Sequence, residues 1–83
     1  MTLEEEFNNA VTRTKQLKQR PTNQTLLLLY ALFKQATAGD IPEVQVPDHD
    51  FKAIAKFNAW KSQKGKSKET CMQEYISLVQ SLD

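Results

Sequence analysis

The stretch Leu26-Leu27-Leu28-Leu29-Tyr30-Ala31-Leu32-Phe33-Lys34-Gln35-Ala36 constrains this chain more than any other feature. From Leu26 to Phe33 no side chain is strongly polar, so a helix built from it is apolar all round, where a surface helix shows one stripe. A chain of 83 residues has little interior with which to surround such a helix. A membrane span takes about 20 apolar residues, more than this run supplies. Three covers for the second face remain: a protein core, a partner surface, or an apolar ligand. Lys34 and the aromatics Tyr30 and Phe33 favour a ligand with both a greasy and an anionic part.

Charge placement points the same way. The net charge of +1 conceals segregation. From Arg13 to Lys34 there are five basic residues, Arg13, Lys15, Lys18, Arg20 and Lys34, and no acid. From Phe51 to Lys68 there are six lysines, at 52, 56, 61, 64, 66 and 68, and again no acid. The acids gather at Glu4-Glu5-Glu6, at Asp40, Glu43, Asp48 and Asp50, and at Glu69, Glu74 and Asp83. Scattered lysines ordinarily do no more than solvate helix surfaces. Two acid-free segments packed side by side would instead make a positive patch that attracts a multiply charged anion.

The spacing of apolar residues predicts four helices. The first opens at Thr2 with Glu5 three residues on, the capping-box pattern, and Glu4 to Glu6 suit the positive end of a helix. Leu3, Phe7, Ala10, Val11, Thr14 and Leu17 follow at helical spacing, and Pro21 ends that helix or marks the turn after it. Thr22 or Asn23 caps the second helix, which runs through the leucines to a left-handed cap at Gly39. A loop over residues 40–50 contains Val44-Gln45-Val46, but Pro42 and Pro47 speak against a strand there. Asp48 can cap a third helix with Phe51, Ile54, Ala55, Phe57 and Trp60, which Gly65 stops. Ser67 caps a fourth, in which Met72, Tyr75, Ile76, Val79 and Leu82 share a face. The expectation is an all-α, compact four-helix bundle over residues 1–83, one domain, with a long loop between helices 2 and 3.

Several chemistries lack their parts. Gly65-Lys66-Ser67 imitates the end of a phosphate-binding loop, yet the first glycine of that motif falls on Trp60 and no strand precedes it. With a single histidine, His49, and a single cysteine, Cys71, neither a zinc site nor an internal disulfide can be assembled. Cys71 reads as a small buried residue. No nucleophile, base and orienting group come together, so no enzyme and no metal are expected. The amino-terminal segment lacks an apolar signal run, which predicts a cytoplasmic protein.

Tyr30, Phe33 and Lys34 form the sharpest constellation, with Tyr30 and Lys34 four apart on one helix face. Lys52 and Lys56 repeat that spacing on the third helix. Aromatic rings can stack on a nucleobase while an ammonium holds a phosphate. The plainer reading makes Tyr30 and Phe33 core residues.

At these residues the chain resembles the acyl-CoA-binding proteins. The most specific stretch is Tyr30-Ala31-Leu32-Phe33-Lys34-Gln35-Ala36-Thr37-Ala38-Gly39-Asp40-Ile41. The likeness continues through Asp50-Phe51-Lys52, Ala55-Lys56, Ala59-Trp60, Lys64-Gly65-Lys66-Ser67-Lys68-Glu69 and Tyr75-Ile76, and covers nearly the whole chain. It implies a non-catalytic carrier of long-chain fatty acyl-CoA, one ligand per chain, monomeric, with no integral membrane insertion and no nucleic acid. By position, Lys34 and Lys56 would hold the ribose 3′-phosphate with the Tyr30 hydroxyl. Phe33 would stack on adenine, Lys15 and Lys52 would assist at the phosphates, and Tyr75 would approach the nucleotide and the start of the tail. Leu26, Leu27 and Ala55 would line the tail groove. The chain departs from the family at Phe33, where tyrosine is usual, at Phe57, where tryptophan is usual, and at Ile54, where a polar or basic residue is common. The competing readings are a helical protein-interaction module docking through the leucines and a small helical nucleic-acid-binding domain; the near-neutral charge disfavours the latter.

Overall fold

Residues 1–43 and 49–82 are described by the structure, a computed structural model. They form four helices and, among the described residues, no strand: α1 Leu3–Thr14, α2 Asn23–Thr37, α3 Phe51–Lys61 and α4 Lys68–Leu82. Each helix begins where a short polar side chain takes up orphan backbone N–H groups. The Glu5 amide donates to the Thr2 hydroxyl at 3.2 Å while the Thr2 amide donates to the Glu5 carboxylate at 3.3 Å, completing the capping box. Thr22, not Asn23, caps α2, accepting from the Thr25 amide at 3.2 Å. The Ser67 hydroxyl accepts from the Thr70 amide at 3.1 Å, as expected.

Two boundaries differ from expectation. The cap of α3 is Asp50, whose carboxylate accepts from the Ala53 amide at 3.0 Å. Asp48, assigned that role from sequence, lies outside the described residues, as do Val44-Gln45-Val46 and Pro47. Helix α1 stops at Thr14, short of Leu17. The Lys15 and Gln16 amides reach back three residues, to Thr12 and Arg13, and tighten the last turn so that the helix cannot continue. Gly39 (φ +83°) and Gly65 (φ +92°) take the left-handed conformation that ends α2 and turns the chain from α3 into α4, and any side chain there would be strained.

Contacts along the seams fix the helix directions. Tyr30 meets Lys56 and Lys34 meets Trp60, so α2 and α3 run the same way. Gln35 meets Lys66 at one end of the α2–α4 seam and Leu28 lies with Leu78 toward the other, so that pair is antiparallel. Helix α1 packs on α4 through Phe7 and Tyr75.

The core consists of Phe7 and Ala10 from α1, Leu29, Leu32 and Ala36 from α2, and Cys71, Tyr75 and Val79 from α4. None of these comes from α3, whose closely packed neighbour is α2 alone. The all-round apolar helix is thus divided. Leu29 and Leu32 face the core, Leu26 and Leu27 are half-buried toward α3, and Leu28 is 40% exposed. None of the helices is long and apolar enough to cross a membrane, among the described residues.

Candidate functional site

A groove of about 440 Å³ runs along the α2–α3 seam, within the range of small-molecule sites. Leu26, Leu27 and Tyr30 form its α2 wall, and Phe51, Lys52, Ala55 and Lys56 its α3 wall, with Arg20 and Asn23 at one end. The i, i+4 pairs Phe51/Ala55 and Lys52/Lys56 give the α3 wall an apolar row beside a basic one. Among the described residues lining it there is no acid. A second hollow of about 430 Å³ lies between α2 and α4, lined by Leu28, Leu32 and Leu78 among others. Its one cation, Lys66, is already bound to Glu74 at 3.1 Å. Size does not separate the two hollows; charge does. Of the two, the α2–α3 groove offers several cations to an incoming anion.

At the end of this seam two cations are held over rings in a reciprocal pattern. Lys56 Nζ, from α3, sits 5.4 Å from the centroid of Tyr30 on α2. Lys34 Nζ, from α2, sits 5.2 Å from the centroid of Trp60 on α3. Each contact contributes about 0.5–1 kcal/mol at an exposed site. Their larger consequence is geometric, since both ammonium groups are drawn to the same seam.

Six of the ten residues expected from sequence line the groove together: Leu26, Leu27, Tyr30, Lys52, Ala55 and Lys56. Lys34 stands one turn beyond Tyr30 along α2, over Trp60. Phe33 faces α1 and stacks on Phe7, with centroids 5.9 Å apart, and is 37% exposed. Tyr75 is only 4% exposed and meets Phe7 edge-on at 5.0 Å. Burial pushes its phenol up in pKa, with a hydrogen bond from Thr14 opposing. Lys15 caps the end of α1 and is exposed. Arg20, Asn23 and Phe51 also line the groove, beyond the site residues expected from sequence. Their signal was present: Asn23 precedes Leu26 and Leu27 by one turn, and Phe51 precedes Ala55 by one turn. Phe51 is 81% exposed, unusual for a phenylalanine.

The far end of the seam is tied down by hydrogen bonds. Asp40 Oδ1 accepts from Gln35 Nε2 at 2.8 Å and from the Gly65 amide at 2.9 Å. The Gly65 N–H, and after it the Gln35 amide, hold the Asp40 carboxyl below its ordinary pKa. Gln35 Nε2 also donates to the Lys66 carbonyl at 3.0 Å, and Trp60 Nε1 donates to the Gly39 carbonyl at 2.9 Å. Cys71 is fully buried, and burial, then the nearby Glu74 charge, push its thiol up, so it is not an activated nucleophile. Among the described residues no cluster of three or more His, Cys, Asp or Glu is arranged to hold a metal ion.

The family profile described as "Acyl CoA binding protein" matches residues 4–79. The chain belongs to the acyl-CoA-binding protein family. An acyl-CoA-binding protein homolog of Drosophila melanogaster is 47% identical over 78 residues, 94% of this chain and 91% of the relative. The acyl-CoA-binding protein of Brassica napus is 39% identical over 82 residues, 99% of this chain and 89% of the relative. The crystal structure of Oryza sativa Acyl-CoA-Binding Protein 2 superimposes with a TM-score of 0.92 at 40% identity, covering 98% of this chain and 90% of that one. The four-helix arrangement described above is therefore the fold of the acyl-CoA-binding proteins, and the α2–α3 groove is to be read within that family.

Proposed function

We propose that this chain binds one long-chain fatty acyl-CoA as a monomeric cytoplasmic carrier, without catalysing a reaction, and that residues 1–83 act as a single binding unit. The observation that carries this reading is one groove that joins an apolar floor, Leu26, Leu27 and Ala55, to an acid-free set of cations, Arg20, Lys52 and Lys56. An acyl chain suits the first and a nucleotide phosphate the second. In this reading Lys34 and Lys56 leave their rings to take the ribose 3′-phosphate, with the Tyr30 hydroxyl beside them. Phe33 turns its free face to adenine. Lys15 and Lys52, both exposed, complement the remaining phosphates. Tyr75 acts from behind, supporting Phe7, which in turn supports Phe33. Family membership supports the ligand class.

Calorimetric titration with palmitoyl-CoA tests it. The expected result is one site per chain, with binding weakened by added salt and much weaker for acetyl-CoA. Equal affinity for the two thioesters would remove the tail groove from the proposal. A stoichiometry of one ligand per two chains would remove the monomeric carrier.

A further inference from the structure

Asp40 is exposed, contributes nothing to the core and does not line the groove. It is nevertheless the point at which three elements converge. One oxygen, Oδ1, accepts from Gln35 on α2 and from the Gly65 amide in the turn that joins α3 to α4. The residue before it, Gly39, is in the left-handed conformation and presents its carbonyl to the indole N–H of Trp60 on α3. Trp60 is the ring on which Lys34 rests. The path from Asp40 to Lys34 thus runs through one peptide unit, one hydrogen bond and one cation–ring contact.

This path matters because α3 is fixed only by its seam with α2 and by its ends. It contributes no residue to the core cluster, and of its own residues only Trp60 is buried. A helix without core anchorage takes its position from its end contacts and from the seam. The Gly65 bond to Asp40 Oδ1 and the Trp60 bond to the Gly39 carbonyl hold the C-terminal side of α3 to the end of α2, and so hold the spacing across which Lys34 meets Trp60 and Lys56 meets Tyr30. A hydrogen-bonded surface cluster adds little to stability. Its effect on where two cations sit is not limited in that way, since a misplaced ammonium loses its phosphate contact altogether.

We propose that Asp40 is a positioning residue for the anion end of the groove, acting through Gly39 and Trp60 to place Lys34 and, through the seating of α3, Lys56. The proposal rests on the acyl-CoA reading above. It makes the affinity for a phosphate-bearing ligand depend on a carboxylate that would repel that phosphate if the two met.

The test uses the full chain with Asp40→Ala, Asp40→Asn, Lys34→Ala and the Asp40→Ala/Lys34→Ala double variant. Trp60 is the single tryptophan, so its emission reports this junction without ligand. Asp40→Ala is expected to shift that emission to longer wavelength while helix content by circular dichroism is kept. It should weaken palmitoyl-CoA about tenfold and 3′-dephospho-palmitoyl-CoA much less. The double variant should bind only somewhat more weakly than Lys34→Ala, because the Lys34 contact is already lost and only the share acting through Lys56 remains. Asp40→Asn keeps an acceptor oxygen and should recover most of the loss. Should Asp40→Ala fail to fold, Trp60→Phe keeps a packed ring but removes the donor to Gly39, and should show the same selective loss for the phosphate-bearing ligand. Equal losses for both ligands, additive losses with Lys34→Ala, or unchanged emission and affinity would each overturn the positioning role. Wild-type protein that binds neither thioester would overturn the acyl-CoA reading instead, which separates the two failures.

Discussion

The ring of Phe33 stacks on that of Phe7 of α1, inclined by 23°, and yet Phe33 remains 37% exposed. A residue placed this way is neither core nor free, and the two contributions can be told apart. Phe33→Ala should lower the melting temperature, but by less than the roughly 3–5 kcal/mol of a fully buried phenylalanine. It should also weaken palmitoyl-CoA by about 1–3 kcal/mol, the usual value of aromatic stacking on a base. Phe33→Tyr keeps both faces, and its added hydroxyl can reach solvent. Its melting temperature should be unchanged and its affinity equal or slightly tighter. A clear drop in melting temperature for Phe33→Tyr would show the ring edge to be buried and would count against stacking on the ligand.

For Lys34 and Lys56 the two energies separate in the opposite sense. Each now contributes one ring contact, on Trp60 and Tyr30 respectively. Lys34→Ala or Lys56→Ala should therefore cost about 0.5–1 kcal/mol of stability. Loss of affinity for palmitoyl-CoA should be larger, about 1.5–3 kcal/mol for a charge-assisted hydrogen bond to the phosphate. Titrating the variants with the 3′-dephospho ligand checks the assignment, because that ligand should bind both variants nearly as well as it binds the wild type.

Chain-length preference follows from the groove floor. Affinity should rise by up to about 0.8 kcal/mol per methylene until the space beside Leu26, Leu27 and Ala55 is full. Ala55→Leu takes up part of that space from the α3 side. Its affinity maximum should move to shorter acyl chains, measured across a series from octanoyl- to eicosanoyl-CoA. An unmoved maximum would mean that the tail runs elsewhere.

Alkaline pH should weaken the fold through α4. Burial raises the pKa of both Cys71 and Tyr75 above their ordinary values of 9.0 and 10.0. The folded state holds these protons more tightly than the unfolded state does. Stability is therefore fully present below the ordinary values and falls as pH rises through and beyond them. Urea unfolding between neutral pH and pH 11 should show this decline. Tyr75→Phe and Cys71→Ala should each flatten the profile, although both start from lower stability.

Most of the architecture could be read from the sequence because helix ends are local chemistry. Thr2 with Glu5, Thr22, Gly39, Gly65 and Ser67 each act within one turn of their own position. The extent of α1 departs from the side-chain pattern for a related reason. Leu17 keeps the helical spacing, but the bonds that end the helix are made by backbone amides, which leave no mark in side-chain periodicity. The groove lining was legible where it follows one helix face, as with Tyr30, Lys52 and Lys56. It was not legible where it depends on pairing across a seam. Nothing in the spacing of Trp60 says that Lys34 rests on it, and nothing in Phe33 says that Phe7 backs it. Tyr75 illustrates the same limit from the other side: its spacing places it on the apolar face of α4, and only the packing of α1 against α4 makes that position a buried one.

The absence of α3 from the core cluster has a consequence for traffic through the groove. The cluster formed by α1, α2 and α4 is self-contained, so α3 can part from α2 without those three helices losing the core contacts they make with one another. Opening of that kind requires only the energy of the seam and of the junction around Asp40, a fraction of the global unfolding energy. In the proposed reading, passage of a ligand would depend on that seam, while endurance of the molecule rests on the cluster made by the other three helices. Selection can make such a protein release its cargo faster or slower without making it more or less fragile.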